Sequence, residues 1–135
     1  MTRVEHFTSS DKALTWFRRG DQDLRLADAL DHTSDAKMSV GFVHHGAGES
    51  NEWIVAYDEA LIVTKGRFTV HTKDGDYTAG PGEIIYLYAG TELTYHAEHE
   101  ATEVVYVTYP HWLRATEQAA HAAKLDEYQP VTDNG

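Results

Sequence analysis

The chain has 135 residues, enough for one domain around one core. Hydrophobic residues make up 41% and charged residues 24%, the balance of a soluble globular domain, and no apolar run approaches the ~18 residues of a membrane span. A formal charge of −11 repels phosphate backbones and anionic bilayers, so neither nucleic acid nor membrane is an expected partner, and the lack of cysteine excludes disulfides and thiolate metal sites.

Residues 1–37 are expected to form an N-terminal arm, a short helix and a cover strand. The opening MTRVEHFTSS has no apolar core of a secretory signal, which makes the cytoplasm the expected compartment. Asp11 is placed to cap a helix over Lys12–Arg19 that Gly20 stops. Leu24, Leu26 and Leu30 mark a strand and turn covering a barrel. Residues 38–110 should be the barrel itself. Met38–His45 is one strand, followed by turn chemistry over Gly46–Asn51. Trp53–Val63, rich in β-branched and aromatic residues, is another. Asp74-Gly75 signals a tight hairpin, and Pro81-Gly82 and Ala89-Gly90 signal further turns. Leu93–Ala97 and Glu103–Tyr109 are expected to close the sheet as a final hairpin, which Pro110 ends. Residues 111–128 should be a helix packed outside the barrel, and 129–135 a frayed tail. Short strands with regular turns describe an all-β sandwich or barrel.

The stretch from Trp53 to Trp112 carries Glu59 separated by six residues from Gly66, the turn Ala79-Gly80-Pro81-Gly82-Glu83, and Gly90 eight positions after Gly82. It resembles the paired motifs of the cupin family of small β-barrels, whose fold is a double-stranded β-helix or jelly roll. Trp53…Tyr57-Asp58-Glu59 and Tyr109-Pro110-His111-Trp112 make it similar, within that family, to the ethanolamine-utilisation (EutQ-type) cupins. The resemblance implies four metal-ligand positions. Of these only Glu59 holds a ligand; Leu93 stands at one histidine position, and Trp53 and Val55, or Glu52 and Ile54 with a spacer one residue longer, stand at the other two. One carboxylate cannot hold a first-row metal that needs several imidazole nitrogens, so neither a bound metal nor a cofactor is expected. The resemblance also implies a homodimer. Acetate kinase activity is ascribed to EutQ-type proteins, but Gly80-Pro81-Gly82 lies between strands and opens no helix, so it makes no phosphate loop.

If residues 38–45 and 52–63 pair as a hairpin, His44 lies opposite Trp53 and faces inward with it. The resemblance implies that Trp53 and Leu93 point inward, and alternation from them places Tyr57, Glu59 and Tyr95 on the same inner face unless a bulge intervenes. A slip of one residue would bring His45 inward instead. The expected catalytic set is therefore Glu59, His44 and Tyr57, with Trp53, Tyr95, Val55 and Leu93 lining a substrate pocket. A carboxyl among aromatic rings loses solvation and becomes a proton donor or acceptor near neutral pH, while the rings suit a cationic ligand such as an ethanolamine-like ammonium. Three functions fit: a cupin binding a small polar metabolite with metal-independent acid–base chemistry, a metal-dependent enzyme with a relocated site of His44, Glu59 and either Tyr95 or a water, or a non-catalytic ethanolamine-utilisation accessory. Glu59 has a plainer reading too, as a buried hydrogen-bond acceptor, and the aromatic residues as core filling.

Overall fold

The computed structural model of the protein describes residues 2–131. In chain order its strands are β1 (Phe17–Arg19), β2 (Leu24–Leu30), β3 (Ser39–His45), β4 (Ser50–Ile54), β5 (Asp58–Lys65), β6 (Phe68–Thr72), β7 (Gly75–Ala79), β8 (Ile84–Leu87), β9 (Glu92–His96), β10 (Thr102–Tyr109) and β11 (Tyr128–Pro130). A helix α1 (Trp112–Glu117) and a 3-10 helix (Ala122–Glu127) precede the last strand. The strands form two antiparallel sheets, a seven-stranded one in the order β11-β1-β2-β3-β10-β5-β8 and a four-stranded one in the order β4-β9-β6-β7. This is the all-β double-stranded barrel expected from the sequence. Alternate residues such as Leu61, Val63, Phe68, Val70, Val104 and Tyr106 turn inward and fill the core between the sheets.

The connections differ from the sequence expectation at the places where the chain changes sheets. Residues 38–45 and 52–63 form no hairpin: β3 pairs with β2 and β10, whereas β4 pairs with β9. The loop between them donates from Gly46 N–H to the Asp23 carbonyl (2.6 Å) and from Gly48 N–H to the Ala97 carbonyl (2.6 Å), so it ties one sheet to the other. Trp53–Val63 is likewise not one strand. Val55 bonds through its backbone to Thr91 and Gly90, and the chain then bends into the second sheet at Asp58. The final pair follows the same rule, with β9 in the smaller sheet and β10 in the larger. The β6–β7 hairpin does form, with Thr72 opposite Gly75.

The expected N-terminal helix over Lys12–Arg19 is absent. The Asp11 carboxylate accepts from Thr8 N–H (2.8 Å) and Thr8 Oγ1 (2.9 Å), closing a turn behind it instead of capping a helix ahead. Phe17–Arg19 is drawn into the sheet between β2 and β11. The C-terminal helix is broken in two by a turn, and Tyr128–Pro130, expected within a helix end and frayed tail, pair with β1. The rest of that tail, 132–135, lies outside the described residues. Among the described residues no helix is long and apolar enough to cross a membrane.

Candidate functional site

Glu59 stands on β5 opposite Leu87 of β8 and Thr108 of β10, with its side chain turned into the barrel and buried. The Tyr95 hydroxyl donates to its Oε1 at 2.6 Å. Burial disfavours the carboxylate and pushes the Glu59 pKa up to about 7, and the bond from Tyr95 only partly offsets this. Tyr57, two residues earlier and on the same face, accepts from Trp53 Nε1 at 2.9 Å. Desolvation, then the nearby Glu59, raises the pKa values of both Tyr57 and Tyr95, so both hydroxyls stay protonated.

These residues line a cavity of about 60 Å³ inside the barrel. Trp53, Tyr57, Glu59 and Tyr95 are brought together there as the alternation predicts. Val55 and Leu93 are buried in the core outside the cavity wall.

His44 does not reach the site. Its partners across the sheet are Arg25 and Glu103, and its Nε2 lies 3.4 Å from Asp23 on the outer face. His45 takes the inward place, because it pairs with the buried Leu24 and Thr102. The absent β3–β4 hairpin is what shifts the assignment by one residue. A relocated metal site of His44, Glu59 and Tyr95 is excluded by the same geometry. His45 lines the cavity edge-on to Phe68, with ring centroids 5.0 Å apart. Burial lowers its pKa to about 4, so it is neutral at physiological pH. Among the described residues, His45 Nδ1 and Asn51 Oδ1 have no hydrogen-bond partner, although both residues line the cavity. Buried polar atoms of this kind are places for water or a ligand.

Several residues that shape the site escape sequence reasoning. Asp28 of β2 accepts from the Tyr106 hydroxyl and from Trp112 Nε1 (2.9 Å), and so fixes two aromatic walls of the cavity. Burial raises the Asp28 pKa, against the lowering effect of those two donors. Arg19 is buried, bonds Glu127 (3.1 Å) and the Glu52 carbonyl (3.1 Å), and lies over the Trp53 and Tyr128 rings at 5.7 and 5.8 Å. Tyr128 closes the cavity from the C-terminal side, and Asn51 Nδ2 donates to its hydroxyl at 3.2 Å. A signal existed for Trp112 alone, in the segment Tyr109-Pro110-His111-Trp112. There the Ser39 hydroxyl accepts from Trp112 N–H (3.1 Å) and meets His111 Nδ1 (3.2 Å), while His111 Nε2 donates to the Ala36 carbonyl (2.7 Å). That network ties the start of α1 to β3 and to the segment before it.

A family model described as ethanolamine utilisation protein EutQ matches residues 19–114. Among solved structures, a protein of unknown function from Rhizobium leguminosarum bv. viciae 3841 is 30% identical over 82% of this chain and 100% of that one, with a TM-score of 0.67. The Clostridium difficile EutQ protein is 20% identical over 73% of this chain and 69% of that one, with a TM-score of 0.63. A putative ethanolamine utilization protein Q from Salmonella typhimurium LT2 is 20% identical over 65% of this chain and 70% of that one, with a TM-score of 0.61. The last two likenesses speak for the fold. No curated protein matches the chain.

Proposed function

Because the chain belongs to the family described as ethanolamine utilisation protein EutQ, we propose that its barrel binds a small polar metabolite, an amino alcohol of ethanolamine's size and charge, and that Glu59 exchanges a proton with it. The observation that carries this reading is the buried Glu59 carboxyl, held by Tyr95 at 2.6 Å on the wall of a half-enclosed, partly polar cavity. The cavity measures about 60 Å³. A water needs roughly 10–15 Å³ of such space, so it takes about four to six waters or a ligand of about that many heavy atoms.

The lining suits that ligand. An ionised Glu59 supplies the counter-charge for an ammonium group, and the rings of Trp53, Tyr57 and Tyr95 supply cation–π faces. Asn51 Oδ1 and His45 Nδ1 remain for the ligand's other polar end. With its pKa near 7, Glu59 is present in both protonation states at neutral pH, the condition for efficient proton transfer in either direction. Tyr95, kept protonated, holds the carboxyl in place.

The test is a thermal-shift series with ethanolamine and its close analogues at pH 8, where Glu59 is ionised. The melting temperature should climb with ligand concentration by mass action. In Glu59→Gln, which keeps the shape and loses the charge, the climb should vanish. No shift with any small amino alcohol would remove the binding reading, and an equal shift in the variant would remove Glu59 from it.

A further inference from the structure

The outer face of the four-stranded sheet carries a second cluster, away from the barrel cavity. His71 of β6 and His96 of β9 stand on neighbouring paired strands, whose register sets Thr69 opposite His96 and His71 opposite Thr94. The two histidines therefore lie diagonally on one face, within reach of each other. Their inward neighbours Val70 and Tyr95 are buried in the core, which keeps both strands in place. Glu98 follows Ala97, whose N–H donates to the Glu49 carbonyl (3.1 Å) and whose carbonyl accepts from Gly48 N–H (2.6 Å).

The three polar atoms converge. His71 Nε2 lies 3.0 Å from His96 Nδ1 and 3.3 Å from Glu98 Oε1, and His96 Nδ1 lies 3.6 Å from the same oxygen. Ligand atoms around a tetrahedral zinc ion, each about 2.0–2.1 Å from the metal, stand about 3.3 Å from one another. The observed spacings surround that value. The tautomer is right as well. Asp76 Oδ1 is 2.9 Å from His71 Nδ1, so the neutral tautomer that donates from Nδ1 to Asp76 turns its Nε2 lone pair to the cluster. A carboxylate behind an imidazole in this way orients metal-binding histidines and raises their basicity.

From this convergence we propose that His71 Nε2, His96 Nδ1 and Glu98 bind one divalent transition ion of the zinc class, with Asp76 as the positioning residue behind His71. The side chains of His71, His96 and Glu98 are 31%, 28% and 36% exposed, so the fourth coordination position opens to solvent. Imidazole with carboxylate suits zinc, nickel or copper, and the chain's net charge of −11 draws cations to the surface. The expectation of no tightly held transition metal rests on the three interior motif positions, and this cluster lies on the other face of the sheet.

The experiment uses the full chain without a histidine tag, stripped by chelation and titrated calorimetrically with zinc at pH 7.5. Cobalt(II) serves as a spectroscopic probe of tetrahedral coordination. One ion per chain should bind, with a cobalt spectrum of tetrahedral type. His71→Ala and His96→Ala should each abolish that binding, Asp76→Asn should weaken it by about 10–100-fold, and His44→Ala on the other sheet should leave it unchanged. Should an alanine variant fail to fold, His71→Asn and His96→Asn keep the side-chain size for the same comparison. No saturable binding, or equal binding after loss of His71, would overturn the site. Neither readout depends on the barrel ligand.

Discussion

Glu59 and His45 line one cavity and titrate in opposite senses. In the folded chain Glu59 keeps its proton up to about pH 7, whereas an unfolded glutamate loses it near 4.5. Between those values the folded state binds the extra proton, so this residue's stabilisation is present at low pH and is lost as the pH rises toward 7. His45 has a folded pKa of about 4 against an ordinary 6.5, so the unfolded state binds the extra proton between them and stability is lost as the pH falls through that window. From about pH 4.5 to 6.5 the two slopes oppose each other. Chemical denaturation across this range should show Glu59→Gln losing stability more steeply with acid than the parent, by up to about 1.4 kcal/mol per pH unit. His45→Gln should instead gain stability with acid. Parallel curves for all three proteins would show that neither group is buried in solution as described. The inward place of Glu59 was legible from strand alternation. That of His45 was not, because it depends on which strand lies beside β3, a non-local fact that alternation does not contain.

Among the elements, β2 and β3 meet at a close approach that the cavity depends on. Gly41 sits opposite Asp28 and Tyr106, and a Cβ there would fall on the Tyr106 hydroxyl and the Ala27 carbonyl. The carbonyl belongs to the backbone of the neighbouring strand and cannot swing aside. Gly41→Ala should therefore cost about 1–3 kcal/mol, as overpacked interiors do. By pushing Tyr106 away from Asp28 it should also weaken any ligand in the cavity. Melting curves with and without ligand separate the two effects, and an unchanged melting temperature would contradict the packing. The same region shows why much of the site was hidden. Asp28 lies in a segment whose alternation is poor because the β2–β3 register shifts between Asp28 and Leu30. Arg19 falls in a stretch with helical spacing that tertiary pairing turns into a strand. Turn signals such as Asp74-Gly75 were reliable because they act locally.

At the scale of the whole molecule, β8 is one edge of the seven-stranded sheet and β7 one edge of the four-stranded sheet. Tyr77, Ile84, Tyr86 and Tyr88 stand exposed beside them, Ile84 at 64% and Tyr88 at 71%. Two copies each carrying a charge of −11 repel one another, and these large apolar and aromatic side chains, flanked by Asp58, Asp76 and Glu83, offer the contact area that could outweigh that repulsion. A second copy of the chain, added edge to edge, is the expected occupant. Light scattering at micromolar concentration should return twice the mass of one chain, and Ile84→Lys with Tyr88→Glu should return a single one. A monomeric parent would leave the patch without that role.

The cavity wall itself includes Trp112 and Tyr128, and Tyr128 belongs to a strand of three residues, Tyr128–Pro130, tied to β1 and to the Arg19–Glu127 pair. So short an attachment opens far more often than the interior strands do. Each opening takes Tyr128 out of the wall and widens a chamber that is already partly open to solvent. Loosening the end of the chain should therefore speed both the entry and the departure of a ligand.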